Sequence, residues 1–198
     1  MATLRNMDWR EELQKAIYEQ MEYNQLEDEE QGYPFIGTRR LLEAWRPFLR
    51  SSNNHYGVDS VVLGLRQHIL ESRATSSLVK IASILVLINW TAWETFAAIF
   101  VPPDLKRRDG NLPFTLANLR KEDFLGSHQA HHFFHSQLTF LPVTIEENED
   151  LKYSDQFRLP FNWEGKKSSK GSFGTVTKVQ VARGYLKFRE GEYNVEQV

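Results

Sequence analysis

The chain has 198 residues, of which 41% are hydrophobic, 25% charged and 13% aromatic, a globular balance that excludes collagen-like, low-complexity and wholly disordered sequences. With no cysteine there is no disulfide framework, zinc–thiolate site, iron–sulfur cluster or thiol nucleophile. The net charge of −2 is unevenly divided: residues 151–198 hold nine Lys/Arg against five Asp/Glu, and residues 1–150 hold fifteen against twenty-one. The basic end suits a phosphate ligand or a solvated face, and no recognition motif points to nucleic acid.

Arg5, Asp8 and Arg10 interrupt the first ten residues, which lack the apolar core of a secretory signal; a cytoplasmic or nuclear protein is expected. A first helix is predicted from Trp9 to Tyr23, with Leu13, Ile17, Met21 and Tyr18 on one stripe, Asp8 as N-cap and Glu11 three residues on. The acidic run Glu27–Glu30, followed by Gly32 and Pro34, reads as a solvated loop. A second helix is predicted over Thr38–Phe48, burying Leu41, Leu42, Trp45, Phe48 and Leu49, with Pro47 closing its regular part. Ser51–Asn54 is a turn cluster, and Val58–Ser72 gives a third helix with Val61, Val62, Leu65, Ile69 and Leu70 inward. The fourth, at 77–100, is long and apolar and is stopped by Pro102–Pro103. Lys80, Asn89 and Glu94 lie within it, and each charge at the centre of a membrane span costs about 2.5–3.5 kcal/mol, so it reads as a buried core helix and no membrane partner is expected.

From Lys106 the pattern changes. Lys106–Gly110 is a charged connector, and a fifth helix is expected at Leu116–Leu125 or in the histidine-rich stretch 128–138. After an irregular acidic segment at 140–150, the sequence past Arg158 turns β-like, with Phe173, Val176, Val179 and Val181 among Ser, Thr and Gly. The expected fold class is α+β, in three segments: a helical region at 1–105, a linker with a helix at 106–157, and a β-hairpin region at 158–198.

The chemistry concentrates in Gly171-Ser172-Phe173-Gly174-Thr175-Val176. Two glycines three apart suit a strand–turn–strand whose backbone N–H groups approach phosphates without Cβ atoms in the way. They equally suit a plain hairpin using glycine for its turn. Farther upstream, His128/His132 and His131/His135 are i, i+4 pairs of the kind that can ligate a metal. The interleaved Phe133 and Phe134 instead favour an aromatic face with imidazoles at its rim, and no metal site is assigned. No G-x-S-x-G, H-E-x-x-H or Walker sequence occurs.

The run G-S-F-G-x-V resembles the second half of the protein-kinase glycine-rich loop. Leu159-Pro160-Phe161, Leu112-Pro113-Phe114, Phe133/Phe134…Gln137…Phe140…Pro142 and the apolar stretch from Val79 to Ile88 extend the likeness. In this order they resemble a group of protein kinase-like proteins of filamentous fungi that carry a helical extension before the kinase domain. The resemblance implies a serine/threonine-type kinase fold with ATP and magnesium as ligands. Gly171, Ser172, Phe173 and Gly174 would form the phosphate-covering tip, and Val176 would face adenine. Ser169 stands where the first glycine of the full pattern belongs. The β3 lysine, the αC glutamate, H-R-D and D-F-G are absent. Lys187, thirteen residues past Gly174, either pairs with phosphate or belongs to the connection after the second strand. The chain therefore reads as the incomplete front of a kinase lobe, inactive alone. The rival reading is a non-catalytic helical interaction module anchored by Trp9, Trp45, Trp90 and Trp93.

Overall fold

In a computed structural model of the chain, residues 8–24, 33–50, 77–102, 106–147, 158–162, 168–171, 174–177 and 179–188 are described. They form two compact units, Met1–Met21 with Ile36–Leu141, and Glu22–Phe35 with Pro142–Val198. The first is helical and the second is built of short strands, an α+β chain. The expected helix at 58–72 and the turn cluster at 51–54 lie outside the described residues.

Helix α1 (Trp9–Glu19) begins where Asp8 accepts a hydrogen bond from Arg10 N at 3.0 Å. Trp9, Leu13 and Ile17 are buried, and Met21 just beyond the helix is 9% exposed. The helix stops short of Tyr23, because Glu22–Asn24 (β1) pairs antiparallel with Tyr33–Phe35 (β2). Tyr18, expected on the buried stripe, is 51% exposed. It sits one position past Ile17, about 100° around the helix and off the apolar face.

Helix α2 (Thr38–Arg50) continues past Pro47. Burial of Phe48 and Leu49 holds the final turn in place despite the hydrogen bond that proline removes. The apolar stretch at 77–100 is not one helix. Helix α3 (Val79–Leu87) ends at Asn89, whose φ of 53° is left-handed. Asn89 N donates to Val86 O at 3.1 Å and Trp90 N to Leu85 O at 2.9 Å, the paired closing bonds of a Schellman cap. A 3-10 turn (Trp93–Thr95) and the short α4 (Phe96–Phe100) follow. No helix among the described residues is long and apolar enough to cross a membrane. Asn89→Val puts a β-branched side chain at a positive φ and is expected to cost about 1–3 kcal/mol in a denaturant melt, whereas Asn89→Gly leaves stability equal or higher.

Seven of the nine residues of α3 are buried, and the helix packs against α1, α2 and α6 (Gly126–Ser136). Trp45 Nε1 donates to Ser83 Oγ at 2.8 Å, which donates in turn to Val79 O at 2.7 Å, so the indole of α2 is satisfied inside α3. The segment from 106 to 141 joins the same core. Phe114, Leu119 of α5 (Leu116–Leu119), Phe124, Phe133 and Phe140 are all buried. An aromatic chain runs from Trp9 through Trp93, Phe96, Phe100, Phe124 and Phe114 to Phe133, with successive ring centroids 4.9–6.1 Å apart.

In the second unit, Ile145–Glu146 (β3) pairs parallel with Leu186–Lys187 (β8). Phe161–Asn162 (β4) pairs antiparallel with Gln180–Val181 (β7), and Ser168–Gly171 (β5) with Gly174–Thr177 (β6). Ala182 N donates to Pro160 O at 2.7 Å, and a turn from Ala182 to Tyr185 uses the positive φ of Gly184. Tyr185 meets Phe35 edge-on at 6.2 Å.

Candidate functional site

The two glycines lie on the two-stranded antiparallel ladder of β5 and β6, and β4 with β7 forms a separate two-stranded ladder. The β5–β6 ladder pairs Ser168 with Thr177, Ser169 with Val176, Lys170 with Thr175 and Gly171 with Gly174. Residues directly opposite in an antiparallel pair share a face, and faces alternate along each strand. Gly171, Gly174, Ser169 and Val176 therefore occupy one face of the ribbon, and Lys170, Thr175, Ser168 and Thr177 the other.

This register is compatible with both uses of glycine left open by the sequence. A two-residue hairpin connection needs positive φ at both central positions in a type I′ turn and at the first in a type II′ turn, and glycine is favoured there. Here those positions are Ser172 and Phe173, which lie outside the described residues. Gly171 and Gly174 form the last ladder pair and flank that connection. What they contribute is an end of the ribbon without Cβ atoms, with Val176 two positions back on the same face.

Lys187 is not on this ribbon. It lies on β8, with its side chain 64% exposed, and Nζ is 3.3 Å from Glu146 Oε1 across the parallel ladder. A pair this exposed contributes little to stability. Trp9, Trp45, Trp90 and Trp93, the anchors of the interaction-module reading, are all buried at 5% exposure or less.

A buried acid of the first unit, Asp109, lies in the segment that the sequence marks as a charged connector. Asp109, 8% exposed in the 3-10 turn Asp109–Asn111, reaches the N-terminus of α3. Its Oδ1 accepts from Ile81 N at 3.0 Å, and its Oδ2 from Lys80 N at 3.0 Å and Ser77 Oγ at 2.8 Å. Leu78, at the N-cap position, offers no side-chain acceptor, so the cap is supplied from about thirty residues downstream. Burial raises the Asp109 pKa; the two backbone donors, the Ser77 hydroxyl and Lys80 pull it down without offsetting that effect. Burial likewise lowers the Lys80 pKa, against the pull of Asp109. Nearby, Arg107 Nη2 donates to Asp123 Oδ2 at 2.6 Å, which holds that exposed carboxyl below its usual range, and the guanidinium lies 4.4 Å from the centre of the Phe124 ring. Both acids have structural work: one caps a helix and the other fixes a loop.

The histidines of α6 are exposed, and no group of three metal-ligating side chains occurs among the described residues. Comparisons with protein-family models, with curated proteins and with solved structures find no match for the chain.

Proposed function

We propose that the ribbon ending in Gly171 and Gly174 is a nucleotide-phosphate cover of the protein-kinase type, carried behind a helical extension. The observation that supports this is the register. It sets the two glycines opposite each other at the end of the ladder rather than in the connection, with Val176 on their face. In this reading the backbone N–H groups around the tip approach the triphosphate of ATP, and Val176 covers the base. A bound magnesium ion would neutralise phosphate charge, and no ligand for it is assigned to the described residues.

Phosphoryl transfer needs a phosphate-pairing lysine, a base and metal ligands held together. The sequence lacks the motifs that carry them, so these 198 residues hold nucleotide weakly and transfer no phosphate. Protein phosphorylation on serine or threonine belongs to a chain in which those motifs follow, and the compartment that fits is the cytoplasm or nucleus. Lys187, paired with Glu146 on a separate ladder, has no assigned phosphate contact.

The test is equilibrium binding of a fluorescent ATP analogue with magnesium to the wild-type chain, Gly171→Val and Gly174→Val. Valine is a good strand residue, and unchanged far-UV circular dichroism of the two variants checks that they fold. Each is expected to weaken binding by about tenfold, roughly 1.4 kcal/mol. Unchanged binding in both variants would remove the glycines from the site. Thermal melts should barely respond. At a ligand concentration equal to Kd the stabilisation is only about 0.4 kcal/mol, a shift of about 1 °C.

A further inference from the structure

We propose that His128 and His132 on α6 form a two-imidazole chelate for a divalent transition-metal ion of the zinc class, independent of the nucleotide reading. At 100° per residue, His128, His131, His132 and His135 fall within an arc of about 100° on the exposed side of α6, with the buried Ala130 and Phe133 outside that arc. The rings of His128 and His132 already face the same solvent, with centroids 5.9 Å apart and planes at 53°. Two imidazoles bound to one tetrahedral zinc at about 2.05 Å hold their centroids about 5 Å apart. The observed centroid separation is thus within about 1 Å of that of a closed chelate, and rotation of two exposed side chains on one helix can turn their nitrogens toward a common ion.

The neighbouring pair, His131 and His135, is disfavoured by a contact. Arg120 Nη2 lies 2.6 Å from His131 Nε2. A guanidinium can only donate, so His131 Nε2 is the acceptor and its lone pair is already engaged. That contact also brings a permanent positive charge to the His131 end of the stripe. Imidazole is a common ligand for zinc, copper and nickel, and two protein ligands leave the remaining coordination positions to water. The site is thus an open one, suited to reversible occupancy rather than to a closed structural centre.

The experiment is a zinc chloride titration of the full chain, followed by calorimetry and by the imidazole resonances in NMR. One zinc per chain is expected, with the His128 and His132 resonances moving together. His128→Ala and His132→Ala should each weaken binding at least about tenfold, because the second ligand no longer acts intramolecularly. His135→Ala and His131→Ala should leave the affinity within about threefold, since neither ligates. The four side chains are exposed, so unchanged thermal melts of the metal-free variants would show that each folds. Silence at about 1 mM zinc would overturn the assignment. So would binding that survives the loss of both His128 and His132, or that falls equally in His135→Ala.

Discussion

Asp109→Ala is expected to destabilise the first unit by about 3–5 kcal/mol, the largest effect of any polar substitution considered. The carboxylate receives three hydrogen bonds in a buried position: two from the opening N–H groups of α3 and one from Ser77. Alanine leaves those donors without an acceptor, and each buried orphan costs about 1–3 kcal/mol. It also removes an acid from the positive end of the helix dipole. Since α3 is the element that α1, α2 and α6 pack on, loosening its first turn reaches the whole unit. Asp109→Asn retains one acceptor but turns an amide donor toward Lys80 N or Ile81 N, and an intermediate loss is expected in urea unfolding.

The sign of the pH dependence follows from the direction of the shift. Burial raises the Asp109 pKa above its ordinary 3.8, so the native state binds this proton more tightly than the unfolded chain does. Its contribution is fullest below 3.8 and declines as pH rises through the folded-state value. The slope of stability against pH above 4 should therefore be less negative in Asp109→Asn than in the wild type. An unchanged slope would mean that another group titrates there.

Gln137→Leu is expected to cost about 2–4 kcal/mol although it places a hydrophobic side chain in a hydrophobic setting. Gln137 is 1% exposed, and its amide pairs twice with one residue: Phe114 N donates to Oε1 at 2.8 Å and Nε2 donates to Phe114 O at 2.9 Å. The side chain thus takes the place of a neighbouring strand for a loop backbone that would otherwise bury an unsatisfied donor and acceptor. Leucine fills the space and leaves both groups unpaired. Gln137→Glu keeps the acceptor and loses the donor toward Phe114 O, so it should also destabilise. Chemical denaturation of the two variants checks this; a loss under about 0.5 kcal/mol for leucine would show that water reaches the Phe114 backbone.

Both residues mark where sequence reasoning stops. Periodicity found the buried faces of α1 and α2, because Leu13, Ile17, Leu41 and Trp45 repeat at helical spacing and their burial follows from local geometry. Asp109 sits in Lys-Arg-Arg-Asp-Gly-Asn, a composition that reads as a solvated turn, and nothing local reveals that it caps a helix starting thirty residues earlier. Gln137 resembles any polar residue between Ser136 and Leu138. The break at Asn89 was signalled only by one residue able to take a left-handed conformation within an apolar run. Strands β1 and β2 are three residues each, too short for alternation to show. At the candidate site the residue types were legible as a hairpin from G-S-F-G, and the structure adds the register that pairs Gly171 with Gly174. Lys187 looked available in its apolar surroundings, whereas its partner Glu146 lies 41 residues away and no local pattern links the two.

In the proposed nucleotide cover, the tip between β5 and β6 receives phosphate oxygens. A 15N-edited NMR titration of the chain with magnesium and ATP tests it most directly, with adenosine as the phosphate-free control. The expected result is a saturable displacement of the Gly171 and Gly174 amide resonances by ATP, with adenosine leaving them in place. Glycine amides that stay fixed while ATP moves resonances elsewhere, or that respond equally to adenosine, would contradict it.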